Sequence, residues 1–98
     1  MKPVVYHPEA LLEYREAAEY YTNIEKELGG RFFEEVEDLI QDIRHAPERY
    51  RPFDPLARRH FSDVFPYAVI YLEREECLWV VALMHMKRKP GYWKVRMG

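Results

Sequence analysis

The apolar residues of this 98-residue chain change their spacing near its middle, and this change limits the folds open to it. Over residues 8–28 and 32–43 they recur every three or four positions, as they do on one face of an amphipathic helix. Beyond the segment 47–56, which holds three prolines, they form short continuous runs that are typical of strands. We therefore expect an α+β fold.

The first half predicts two helices that form an antiparallel hairpin. Pro8 suits the first turn of a helix, where its missing N–H is not needed. Gly29 and Gly30 follow the first apolar stripe and are expected to end that helix at residue 28, as glycine commonly does at a helix C-terminus. Pro47 is expected to stop the second helix.

The second half predicts a meander of three strands, at residues 57–62, 67–72 and 78–86. A short β-prone run at residues 4–6 adds one strand before the helices. Residues 78–83 are almost continuously apolar, so this strand is expected to lie centrally with both faces covered. Short connections favour antiparallel pairing. The expected order is β-αα-βββ: an antiparallel sheet with the two-helix hairpin packed on one face.

Length and composition exclude several classes of protein. The chain is short enough for one domain, residues 1–98, and 48% hydrophobic content excludes general disorder. The longest apolar run is too short to cross a membrane, and a single cysteine, Cys77, fits a reducing compartment. Four scattered histidines show no metal-ligand spacing, and no phosphate-binding glycine loop is present. We expect a cytoplasmic protein with no metal and no cofactor.

The charges divide along the chain. Residues 1–49 carry six Lys and Arg against twelve Asp and Glu, whereas residues 50–98 carry nine against five. Within the second half, five cations fall in ten residues with no acid among them: Lys87, Arg88, Lys89, Lys94 and Arg96. Such asymmetry suggests a surface that meets an anionic partner, and the alternative is a solubilising tail.

The same segment carries side chains suited to a metal-free reaction on RNA. His85 exchanges protons near neutral pH, Arg88 is suited to holding a phosphate, and Tyr92 or Trp93 to stacking on a base. These residue types also suit docking onto an acidic protein groove. A third alternative is structural, in which Tyr92 and Trp93 fold back to cap the core and Pro90-Gly91 forms the turn. For Trp93 this alternative is favoured.

A second candidate cluster, Arg58-Arg59-His60, lies on the first strand of the meander. Alternation places Arg58 and His60 on one face of the strand and Arg59 with Phe61 on the other. If Phe61 faces the helices, Arg58 and His60 face the uncovered side. The alternative is an edge strand protected from aggregation by its charges.

Short segments along nearly the whole chain share their order and spacing with a known family. They are His7-Pro8-Glu9-Ala10, Ala17-Ala18-Glu19-Tyr20-Tyr21, Arg58-Arg59, Phe65-Pro66-Tyr67-Ala68-Val69-Ile70-Tyr71 and an ending that reads His85-x-x-Arg88-x-Pro90-Gly91-Tyr92-Trp93-x-x-Arg96. In these segments the chain resembles the RelE/ParE superfamily of toxins from type II toxin–antitoxin systems, and within it the ParE-like plasmid stabilisation branch.

The resemblance implies a bacterial growth inhibitor that a cognate antitoxin neutralises in a toxin–antitoxin hetero-oligomer. ParE-like members are taken to poison DNA gyrase by protein–protein binding, and RelE-like members to cut mRNA on the ribosome. Under the nuclease alternative His85, Arg88 and Tyr92 would be catalytic.

Contacts to a target or to phosphate are expected from a wider set: Arg58, Arg59, His60, Lys87, Arg88, Trp93 and Arg96. The net charge of −2 is unlike the strongly basic nucleases, so gyrase inhibition is the leading hypothesis. Ribosome-dependent cleavage is the first alternative and a non-toxic antitoxin-binding domain the second.

Overall fold

The elements follow the predicted order in the computed structural model, which describes residues 1–97. They are β1 (Val4–Tyr6), α1 (Pro8–Ile24), α2 (Lys26–His45), β2 (Arg58–Phe61), β3 (Tyr67–Glu73), β4 (Leu78–His85) and a closing 3-10 helix (Lys94–Met97). Helix α1 begins with Pro8 as predicted, and Nδ1 of His7 accepts a hydrogen bond of 3.0 Å from the backbone N–H of Glu9. No helix among the described residues is long and apolar enough to cross a membrane.

The four strands form one mixed sheet in the order β1-β4-β3-β2. Strands β2, β3 and β4 form the predicted antiparallel meander. β1 pairs in parallel with the first three residues of β4, which makes β4 an inner strand as predicted. The pairing is parallel because the helical hairpin and the meander intervene between β1 and β4 and bring the chain back in the same direction.

Both faces of the sheet are covered, as the apolar run of β4 predicted. The helices cover one face and bury a cluster that includes Phe32, Val36, Ile43, Val69 and Tyr71. The opposite face buries a smaller cluster of residues from the sheet, the loop before it and the C-terminal segment: Ala57, Ala68, Ile70, Leu72, Val81, Ala82, Met84 and Trp93. The second face is therefore covered by chain segments rather than by helices of the hairpin.

The junction between the helices differs from the prediction. α1 ends at Ile24, and Glu25, in an extended conformation, is the single residue between α1 and α2. Gly29 and Gly30 lie inside α2, and neither has a positive φ. The glycines therefore do not form the turn. Gly29 instead allows the helices to approach, since a Cβ there would lie 1.9 Å from Oγ1 of Thr22 and 2.8 Å from its Cα.

The face assignment of β2 was wrong. Arg58 pairs with Tyr71 and His60 with Val69, which belong to the cluster beneath the helices, so these two side chains lie on the helix side. Arg59 and Phe61 lie on the opposite side. Phe61 did not identify the face because both faces of the sheet are covered and an apolar side chain fits either one.

Candidate functional site

The C-terminal segment turns back onto the sheet after β4. Gly91, with a φ of 76°, is the one described residue in the left-handed region, and it follows Pro90 in the predicted turn. The turn brings Trp93 onto the second face of the sheet, where the indole is 1% exposed and packs edge-on against Phe53. Trp93 is therefore a core residue, as the structural alternative had it, rather than a surface contact for a target.

A carboxylate on α1, that of Glu13, holds this segment in place. Oε2 of Glu13 accepts a hydrogen bond of 2.7 Å from the hydroxyl of Tyr92. The guanidinium of Arg96 donates to both oxygens of the same carboxylate, at 2.9 and 3.0 Å. A bidentate pair of this kind fixes orientation as well as charge, and the Arg96 side chain is only 7% exposed. We call these three residues the Glu13 clamp.

The Glu13 clamp also completes the edge of β4 beyond the end of β1. The N–H of Leu83 donates to Oε1 of Glu13 at 3.1 Å, and the carbonyl of Val81 accepts from Arg96 at 2.9 Å. Strand β1 pairs only with residues 78–80 and leaves these two groups without a strand partner. The ion pair therefore supplies the donor and the acceptor that a longer β1 would have supplied.

Burial and the carboxylate together change the acidity of the groups in the clamp. Burial raises the pKa of Tyr92 well above its ordinary value, and its hydrogen bond to Glu13 raises it further. For Arg96, burial alone would lower the pKa, but the hydrogen bonds to Glu13 outweigh it and raise the pKa. Both groups keep their protons at neutral pH, so the clamp is a hydroxyl and a guanidinium on one carboxylate.

The three predicted catalytic residues, His85, Arg88 and Tyr92, line one cleft of about 330 Å³. The guanidinium of Arg88 stacks on the ring of Tyr92 at 3.9 Å, and its side chain is half exposed. Nδ1 of His85 accepts a hydrogen bond from the backbone N–H of Lys87. Glu13 and Glu16 line the same cleft, so carboxylates stand beside the three residues.

The three basic residues of β2 do not join that cleft. Arg58 donates to the carbonyl of Tyr50 at 2.7 Å and so fixes the proline-rich loop. Nε2 of His60 lies 2.8 Å from Oδ2 of Asp42 on α2, and its ring stacks on that of Tyr50. These contacts attach β2 to the loop and to the second helix.

Arg59 is placed differently, on the second face. Its guanidinium lies 4.2 Å from the ring centre of Phe53 and 4.9 Å from that of Phe61. It lines a cavity of about 390 Å³ together with Arg88. The structure therefore brings Arg59 and Arg88 to one cavity, while Lys87 is exposed after the end of β4. Among residues 1–97, no group of three or more His, Cys, Asp or Glu is placed to hold a metal ion.

Glu13 was not among the site residues predicted from the sequence. A signal was present, because Glu13 lies three residues after Ala10 and four before Ala17, both of which are buried. An acid within an apolar stripe indicates a buried partner. That partner, Arg96, is 83 residues away, so its identity depends on the tertiary fold.

Residues 4–90 match the family model described as the ParE toxin of type II toxin–antitoxin system, parDE. The chain belongs to this family. It is therefore the toxin component of a type II toxin–antitoxin system, and an antitoxin partner follows from membership. No curated protein sequence gives a significant match. The matched region ends at Pro90, so it contains His85 and Arg88 but not Tyr92, Trp93 or Arg96.

Proposed function

We propose that this ParE-family toxin inhibits DNA gyrase by binding it, and that the antitoxin neutralises it by binding in turn. Under this proposal the toxin performs no bond-breaking chemistry. Family membership supports the type II toxin role, and the arrangement around Glu13 favours binding over RNA cleavage.

The observation that carries the proposal is the engagement of Tyr92 by the Glu13 clamp. A nuclease would need Tyr92 and its neighbours free to meet a phosphate, but the Tyr92 hydroxyl donates to Glu13. The carboxylate of Glu16 lines the same cleft and would repel a phosphodiester, whereas that of Glu13 is already paired with Arg96. The overall charge of −2 also supplies little of the counterion release that drives binding to RNA.

Pulse labelling after induction of the toxin alone tests the proposal. Thymidine incorporation should fall before methionine incorporation, and purified toxin should inhibit supercoiling by gyrase in vitro. A matched control is Val36→Asp, which places a charge in the core beneath the helices and should abolish both effects by unfolding the protein. If methionine incorporation falls first and supercoiling is unaffected, the target is translation and the gyrase proposal is wrong.

A second experiment addresses the nuclease alternative directly. His85→Ala keeps the Glu13 clamp, because within residues 1–97 the His85 side chain forms no hydrogen bond or ion pair with Glu13, Tyr92 or Arg96. Gyrase inhibition predicts that this variant stays toxic. Loss of toxicity with an unchanged melting temperature would instead support catalysis by His85.

A further inference from the structure

One cavity lies on the side of the sheet away from the helical hairpin, and a second adjoins it at the edge strand β2. One has a volume of about 390 Å³ and includes Met84 and Trp93 of the second face in its lining. The other, of about 400 Å³, continues around the edge strand β2 to Tyr50. Phe53 and Arg59 line both, so the two cavities form one continuous recessed surface.

Arg59 stands at the centre of this surface between two aromatic rings. Its guanidinium is 4.2 Å from the ring centre of Phe53 and 4.9 Å from that of Phe61. Among residues 1–97, no carboxylate lies within salt-bridge distance of it. A guanidinium stacked in this way keeps its N–H edge available for a bidentate carboxylate.

The net charge around the cavities is positive, whereas that of the helical hairpin is negative. Arg51, Arg59, Arg88 and Lys94 line the cavities, against Asp54 and Asp63. Asp54 is paired with Lys94 at 3.5 Å, and Arg88 lies 3.9 Å from Oε2 of Glu13. Within residues 1–97, Arg51 and Arg59 are therefore the lining cations without a carboxylate partner. The two helices, in contrast, carry ten Asp and Glu against four Lys and Arg. An acidic partner is therefore repelled by the hairpin and attracted to the opposite side of the sheet.

Apolar side chains alternate with the cations on this surface. Phe53, Phe61 and Met86 are each between 36% and 46% exposed. Arginines beside exposed aromatic rings are the residue types that dominate the energy of protein interfaces. Bases could stack on these rings as well, but the acidic residues in both linings and the net negative charge of the protein favour a peptide over a polyanion.

We propose that this surface, the Arg59 face, binds an acidic segment of gyrase that also carries apolar side chains. The Arg59 face comprises Arg51, Phe53, Arg59, Phe61, Met86 and Arg88. A carboxylate of the partner pairs with Arg59, and neighbouring apolar side chains fill the two cavities. This inference rests on the proposed function, because it names the part of the toxin that contacts gyrase.

Binding of purified gyrase to immobilised toxin variants tests the proposal. Arg59→Gln and Phe61→Ser should each weaken binding by about tenfold or more, since both remove a central contact. Matched controls on the exposed side of α1 are Arg15→Gln and Leu12→Ser, which make the same types of change away from the Arg59 face. They should leave binding within about twofold. Met86→Ser is a third variant, whose side chain is exposed and whose loss leaves the Phe53–Arg59–Phe61 stack intact.

The outcomes separate the two proposals. If wild-type toxin binds gyrase and the Arg59, Phe61 and Met86 variants bind as tightly as the controls, the Arg59 face is overturned and gyrase inhibition stands. If wild-type toxin does not bind gyrase, both proposals fail. A labelled single-stranded RNA of about 20 nucleotides provides the third arm, because stacking and phosphate contacts suffice for single-strand binding. RNA binding that Arg59→Gln abolishes, with gyrase binding unchanged, would assign the surface to nucleic acid and overturn the proposal.

Discussion

The two faces of the sheet are held by different means. Beneath the helices lies the larger of the two buried clusters, which includes Phe32, Phe65 and Tyr71, and the rings of Phe32 and Phe65 pack edge-on. On the second face, three of the buried residues are alanines, whose small side chains leave space that the indole of Trp93 fills. Trp93 stays there because the Glu13 clamp holds the segment around it.

This difference separates stability from function. The packing on the helix side is shared among many residues, so its stability does not depend on one contact. The packing on the second face depends on the indole of Trp93 and the carboxylate of Glu13. The cavity beside that indole is lined by cationic and apolar side chains, a combination that suits binding of a partner protein. Four predictions test the comparison, in order of decreasing effect.

The largest effect is expected from Trp93→Ala. This change empties the centre of the second cluster and should lower the free energy of unfolding by about 3–5 kcal/mol. Urea unfolding followed by circular dichroism measures it, with Val95→Ala, at an exposed position of the 3-10 helix that follows Trp93, as the control. A loss below about 1 kcal/mol, typical of a surface substitution, would show that the second face does not depend on Trp93.

Glu13→Ala should cost about 3 kcal/mol, because it leaves the Arg96 guanidinium buried without its main partner. The matched control is Glu16→Ala, one turn further along the same helix and exposed, which should change stability by less than about 0.5 kcal/mol. Equal effects of the two changes would contradict the clamp. Thermal unfolding of both variants provides the measurement.

Gly29→Ala addresses the helix side. The new methyl group would overlap Thr22 on α1 and force the helices apart, with an expected cost of about 1–3 kcal/mol. Gly30→Ala is an unusually close control, since no atom lies within 4 Å of a Cβ at that position. It should stabilise the protein by about 0.5–1 kcal/mol because alanine favours helix. Chemical unfolding should show these opposite signs, and equal signs would contradict the close approach.

The smallest expected effect on stability is that of Tyr6, a partly buried residue packed against the helix-side cluster. It is expected only at alkaline pH. Burial, and then the charge of Glu37, raise the pKa of Tyr6 to about 12. Because an unfolded tyrosine ionises near about pH 10, the unfolded chain loses this proton first, and stability falls as the pH rises from about 10 to about 12.

Tyr6→Phe should make that fall less steep while leaving the slope below about pH 9 unchanged. Urea midpoints measured across the range test this. Parallel curves for the variant and the parent throughout would show that Tyr6 does not contribute to the alkaline loss.

The sequence predicted the parts of the fold that depend on local pattern. The order of elements, the helix start at Pro8, the inner position of β4 and the turn at Gly91 were all confirmed. The glycine pair was misassigned because glycine serves both to turn a chain and to let helices approach, and the sequence alone does not separate these uses. The prediction of the face on which Arg58 and His60 lie was wrong for a related reason. Both faces of the sheet are covered, so the hydrophobicity of a neighbouring residue does not show which face lies beneath the helices.

The candidate site was predictable in its residue types but not in its connections. The cation-rich C-terminal segment and the core position favoured for Trp93 followed from composition and turn chemistry. That Arg96 would bond to Glu13, and that Arg59 would share a cavity with Arg88, depends on tertiary contacts between distant parts of the chain. No local pattern specifies such a pair.

The position of the Glu13 clamp has a genetic consequence. Two residues essential to it, Tyr92 and Arg96, together with Trp93, follow the last strand of the sheet. A stop codon at position 92 or 93 leaves all the named strands and both long helices in the translated chain, yet removes Trp93, which covers the second face, and Arg96, which bonds the edge of β4. Among cells that survive unopposed production of the toxin, nonsense mutations at codons 92 and 93 should therefore be as frequent per codon as those within the two helices.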